Sequence, residues 1–213
     1  MATEHVAGRV NDTMGNFPVI VLDFETTGLS PQRGDRAIEI GAVLIDAGTI
    51  IDRFHSLMNP GIPVSPFIQG LTGISNAMVR SAPGCAEVMA GFGEFMGQYP
   101  LAAHNASFDG RFLDAELARI GRARNNEMVC TLLVARRVYP HILSHKLEAL
   151  VKYKNLHTDG TFHRAAADAE MTAHLWIAMI EDIKGLYGVV EVSLESLQKL
   201  SRISKVKART FFG

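Results

Sequence analysis

Four apolar residues in a row, Val19-Ile20-Val21-Leu22, three of them β-branched, lead directly into two acids, Asp23 and Glu25. An apolar run with no polar alternation is covered on both faces, so it reads as a buried central strand rather than an edge strand. A strand of that kind requires neighbours on both sides and helices packed above and below the sheet. Gly28 and Pro31 close the segment. A second strand fits residues 37–46 with Ala47-Gly48 as a turn, and a third fits 50–58, which makes an antiparallel meander. Residues 59–65, rich in Pro and Gly, read as loop. Helical spacing follows at 76–80, 86–96, 132–138, 146–151 and 165–184, where Met171, Leu175, Ala178 and Met179 form one stripe. Phe108, Phe112, Leu113, Leu117 and Ile120 recur at the same period, with Gly121 as the stop. Residues 101–104 are short and apolar and fit a strand. Strands first, then helices interleaved with short strands, indicate a mixed α/β sheet flanked by helices.

The 213 residues are 47% hydrophobic, enough for one sizeable core. Residues 1–17 are polar and aperiodic and read as a loose tail, 18–188 as one domain, and 189–213 as a basic C-terminal helix and tail. In that last piece Lys199, Arg202, Lys205, Lys207 and Arg209 meet no acid after Glu195. A solvated helix with a frayed end accounts for it; a nucleic-acid contact or a partner-docking helix are the functional alternatives. Lys and Arg number 21 against 22 Asp and Glu, so overall charge does not mark a nucleic-acid binder. Cys85 and Cys130 are the two cysteines, which excludes a disulfide framework and a CxxC metal site. There is no apolar run of membrane-spanning length and no secretory leader pattern, so a cytoplasmic protein without a membrane partner is expected.

Side chains two apart on a strand share a face, so Asp23 and Glu25 converge at the end of the first strand while Leu22 and Phe24 point the other way. Two carboxylates that close repel unless a cation joins them or one takes a proton. Asp109 follows a short strand and opens a helix, with Asn105 as candidate N-cap. Asp168 lies one turn into the long last helix on its apolar stripe, where an acid is costly without a partner. His163 precedes that helix after Gly160, and a histidine ring there can accept a proton from water. Each signal has a bland structural explanation by itself. Together, four acids and one histidine are what two-metal phosphodiester hydrolysis uses, with cations ~3.5–4 Å apart clamping an in-line displacement.

The segments Asp23-x-Glu25-Thr26-Thr27-Gly28-Leu29, His104-Asn105-x-x-Phe108-Asp109 and His163-x-Ala165-x-x-Asp168 resemble the DEDDh exonuclease family in the expected order. That family includes the proofreading subunits of bacterial DNA polymerase III, their stand-alone relatives and ribonuclease T. Ile38-Glu39-Ile40-Gly41-Ala42-Val43 and Leu71-Thr72-Gly73-Ile74 are similar too. The resemblance implies a ribonuclease H-like fold, a five-stranded mixed sheet with helices on both sides. It implies two divalent cations, Mg or Mn: Asp23 bridging both, Glu25 and Asp168 completing the water-activating site, Asp109 supporting the second. His163 becomes the general base; a sister branch has tyrosine where this chain has Arg164. Thr26, Thr27 and Gly28 would bring backbone to the terminal nucleotide, Leu29 would wedge against its base, and His104, Asn105 and Phe108 would flank the scissile end. The implied activity is 3′–5′ exonucleolytic hydrolysis of single-stranded nucleic acid, DNA favoured, with release of nucleoside 5′-monophosphates. An exoribonuclease of the ribonuclease T kind is the alternative, and an inactive polymerase-associated adaptor a third. A DNA polymerase subunit is the candidate protein partner, and oligomeric state stays open.

Overall fold

The computed structural model describes residues 17–156, 162–208 and 210–211. Strand β1 (Val19–Thr26) is flanked by β2 (Ala37–Asp46), antiparallel, and by β4 (Leu101–Ala103), parallel. Beyond them lie β3 (Thr49–Leu57), antiparallel to β2, and β5 (Met128–Cys130), parallel to β4. The sheet order is therefore β3-β2-β1-β4-β5, with the apolar run at its centre. Between β3 and β4 come α1 (Pro66–Thr72), α2 (Asn76–Ser81) and α3 (Cys85–Met96), and between β4 and β5 comes α4 (Ala106–Arg119). After β5 follow α5 (Thr131–Val138), α6 (Leu147–Tyr153), α7 (Ala165–Tyr187), α8 (Leu194–Arg202) and α9 (Lys205–Ala208). None of the described helices is long and apolar enough to cross a membrane.

The period-2 alternation of β1 sorts its side chains into two cores. Val19 and Val21 pack with Val134, Leu175, Trp176, Met179 and Leu197 on the face covered by α5, α7 and α8. Ile20, Leu22 and Phe24 pack with Met89, Phe92, Phe112 and Leu113 on the face covered by α3 and α4. Asp23 and Glu25 continue the odd-numbered series and so belong to the α7 face. Gly41, which pairs with Asp23 across the β1–β2 ladder, is what lets α7 come close enough: a Cβ there would overlap the Ala165 backbone.

Two elements lie outside the sequence expectation. Helix α1 begins where the Pro/Gly loop ends, capped by Ser65, whose Oγ accepts from Ile68 N–H with Pro66 at the first turn. Strand β5 is three residues long, too short to carry a periodic pattern. The segment after Gly188 keeps its described charged residues in solvent but packs one face into the fold. Val192, Leu197, Leu200 and Ala208 are buried in the α7-side core, and the Arg137 guanidinium of α5 donates to Ile203 C=O at 2.8 and 3.0 Å, tying the α8–α9 turn down. At the other end, Phe17 meets Trp176 edge-on at 6.2 Å. The rest of the expected N-terminal tail, residues 1–16, lies outside the described residues, as do Gly160 and its neighbours 157–161.

Candidate active site

The carboxyl ends of the parallel strands β1 and β4 point the same way, and in open α/β sheets that edge is where sites are built. From β1 come Asp23 and Glu25, both half-buried; β4 runs into α4, whose first turn carries Asp109, and α7 carries Asp168 in its first turn. Asp109 and Asp168 are buried. Asp109 Oδ1 accepts from the Phe24 N–H at 3.1 Å, which locks α4 to β1 between the two strand acids. Both helices present their positive N-terminal ends to this edge, which offsets part of the concentrated negative charge.

The offset is incomplete, and proton affinities record it. Burial first, then Asp109, Asp168 and Glu25, push Asp23 well above the ordinary carboxylate range. Burial, followed by Asp168 and Glu39, raises Glu25 to about 8. Burial lifts Asp109 to about 7 against the Phe24 N–H, and Asp168 to about 6 against the His163 N–H. Four oxygen-bearing groups that repel one another in a partly desolvated corner are a donor set suited to hard divalent cations. Ligand atoms of Glu25, His163 and Asp168 lie within 4.8 Å of one another.

Two residues that the sequence reading left without a role organise this corner. Glu39, fully buried on β2, stands directly across the ladder from Glu25. Like charges so placed destabilise a sheet. Arg164 resolves the conflict: its Nη2 and Nε donate to Glu39 at 2.7 to 3.2 Å, joined by Ala165 N–H at 2.9 Å and His55 Nε2 at 2.8 Å. Burial acts to raise the Glu39 pKa, but these partners overcome it and hold the group below its ordinary value. The clamp seats the start of α7 and with it His163. That residue stands at φ 62°, a left-handed conformation costing on the order of 1–3 kcal/mol for a non-glycine residue. Its N–H donates to Asp168 Oδ2 at 2.9 Å while its side chain stays exposed. A lone glutamate inside the otherwise apolar Ile38–Val43 stretch was the available signal, since a buried acid requires a partner.

The remaining sequence-selected residues surround the same edge. Thr26 is buried and its Oγ1 donates to Gly28 C=O at 2.6 Å; Thr27 Oγ1 accepts from Arg36 N–H at 3.0 Å. A Cβ on Gly28 would overlap the Asp35 carboxylate, which accepts from Ser30 N–H at 2.9 Å. Leu29 is 77% exposed. His104 bridges Thr131 Oγ1 and His145 C=O, each at 2.9 Å, and burial lowers its pKa to about 4, so it is neutral. Phe108 rests on Phe112 with ring centroids 5.0 Å apart. Asn105 does occupy the N-cap of α4, but at φ 78° and with no side-chain capping bond, so its exposed amide is free of the expected structural duty.

Residues 20–176 match the family described as Exonuclease. The chain is 38% identical over 192 residues to DNA polymerase III PolC-type of Caldanaerobacter subterraneus subsp. tengcongensis, covering 88% of this chain and 13% of that protein. It thus spans a small fraction of the PolC-type relatives. It is 31% identical over 193 residues to DNA polymerase III subunit epsilon of Aquifex aeolicus, covering 90% of this chain and 95% of that one. Among solved structures, "Exonuclease X in complex with 5′ overhanging duplex DNA" is similar with a TM-score of 0.68 at 29% identity, covering 86% of this chain and 99% of that one.

Proposed function

Because the chain belongs to the exonuclease family, we propose that it is a 3′–5′ exonuclease that hydrolyses the terminal phosphodiester of single-stranded DNA and releases nucleoside 5′-monophosphates. The observation that carries this is the convergence of Asp23, Glu25, Asp109 and Asp168 from three elements onto one edge, beside the exposed ring of His163.

Asp23, Glu25 and Asp168 would hold one divalent cation, and Asp23 with Asp109 a second, Mg or Mn fitting an all-carboxylate donor set. Two cations so held supply charge stabilisation to an in-line displacement at phosphorus. The rest falls to the chain's own groups. His163 accepts the proton of the attacking water, its ring free to turn toward solvent while its backbone is fixed through Asp168 and the Glu39–Arg164 clamp. The backbone from Thr26 to Gly28, braced by Arg36 and Asp35, forms the floor for the terminal nucleotide. Leu29, exposed at its edge, separates the last base from its neighbour. His104, Asn105 and Phe108 line the other side.

DNA is favoured because the PolC-type and epsilon relatives are named for a DNA polymerase and the Exonuclease X structure holds DNA. The same relatives support a DNA polymerase as partner. The experiment is product analysis on 5′-labelled single-stranded DNA and RNA of one sequence with Mg²⁺, Mn²⁺ or chelator. A metal-dependent ladder shortening from the 3′ end, faster on DNA, is expected. Intact substrate from folded protein under every metal condition would overturn the reading.

A further inference from the structure

Next to the acid corner, on the same edge of the sheet, a groove of about 730 Å³ runs from His104 and Asn105 to the C-terminal segment. Its walls carry Arg136 of α5, Lys146 at the start of α6 and Lys205 at the start of α9, all exposed, with Leu143 fully exposed as well. No acid lines it. Among the described residues none of these three cations has an ion-pair partner. What sets them apart is placement: three cations from different parts of the chain line one groove, in a protein of formal net charge −1. The field is felt inside it: burial, then Lys205 and Arg136, depress the pKa of His145.

One end of the groove, at Asn105, belongs to the helix that carries Asp109. Asn105 opens α4, and Asp109 sits one turn further along the same helix. His104 and Thr131, hydrogen-bonded to each other, join the ends of β4 and β5, strands that lie ~5 Å apart. Lys205 is held in place because α8 and α9 are buried against α5 and because Arg137 binds the Ile203 carbonyl.

We propose that this groove is the track for the phosphodiester backbone of the substrate strand on the 5′ side of the scissile bond. Arg136, Lys146 and Lys205 contact its phosphates, and Leu143 offers an apolar edge to a base. The C-terminal segment is thereby part of the substrate-binding surface. The assignment rests on the exonuclease reading and extends it by naming what holds the strand.

The test compares wild type with Arg136→Ala/Lys146→Ala/Lys205→Ala on a labelled single-stranded 20-mer, measuring KM across a salt series. Each neutralised phosphate contributes about −0.7 to the slope of log affinity against log salt for single strands. The triple variant should flatten that slope by about 2, equivalent to a KM increase of about 10- to 100-fold at 0.1 M salt. All three side chains are exposed, so the variant keeps its fold, which its thermal midpoint verifies. If wild type trims the 3′ end and the variant shows the same KM and salt slope, the groove serves some other acidic partner and the proposal falls. If wild type fails to trim at all, the exonuclease reading fails first and takes the track with it.

Discussion

Replacing Glu25 by Gln in protein stripped of metal should stabilise the fold while removing a ligand the reaction needs. In the folded chain the Glu25 carboxyl holds its proton up to about pH 8, against 4.5 for an ordinary glutamate. The folded state therefore binds this proton more tightly than the unfolded state does. The group's contribution is most favourable below about pH 4.5 and is lost progressively as pH rises through 8. Keeping at pH 7 a proton that the unfolded chain releases at 4.5 costs about 3 kcal/mol, falling to about 1 kcal/mol at pH 5. Gln keeps the shape and never ionises, so that cost disappears. Asp109 and Asp168 also take up protons as the corner crowds, which leaves a gain of about 2 kcal/mol to measure at pH 7. For a chain of this size that is a rise in Tm of about 4–8 °C. The assay is thermal unfolding in chelator at pH 5 and 7, wild type beside variant. A gain that grows with pH is expected, together with loss of metal-dependent hydrolysis. A variant equal to or less stable than wild type at pH 7 would refute the account of Glu25 as a strained acid awaiting a cation.

His163→Ala should lower kcat by about 10²- to 10⁴-fold, the usual range for a lost general base, while calorimetry still detects divalent-metal binding. Gly41→Ala forces the start of α7 off the sheet; it should cost about 1–3 kcal/mol, as overpacking does, and depress activity although residue 41 touches no substrate. Deleting residues 189–213 strips Leu197 and Leu200 from the core, each worth on the order of 2–5 kcal/mol, and should yield a protein that unfolds at markedly lower urea. An unchanged midpoint would show that α8 and α9 dock only loosely.

The sequence by itself determined the centre of the molecule and the identity of its reactive groups. Val19–Leu22 reads as a buried central strand, the period of 2 puts Asp23 and Glu25 on one face, and helical spacing marks α3, α4 and α7. These are local facts, since each is encoded within a few residues of where it acts. Tertiary structure decided what depends on distant partners. Glu39 reads as an anomaly until Arg164, 125 residues away, is seen to neutralise it across the β2–α7 contact. Asn105 reads as a side-chain cap; it does hold the N-cap position, but in a left-handed conformation and without a capping bond. The tail reads as solvated because its charges outnumber its leucines, yet Leu197 and Leu200 find a hydrophobic face on α5 and β5 that no local pattern announces. Arg136, Lys146 and Lys205 lie far apart in the chain and come to line one groove only once it folds. The physical reason is the same in each case. Periodicity reports which way a side chain points, whereas pairing, screening and burial depend on which surface arrives opposite it, and that is settled only when the chain closes on itself.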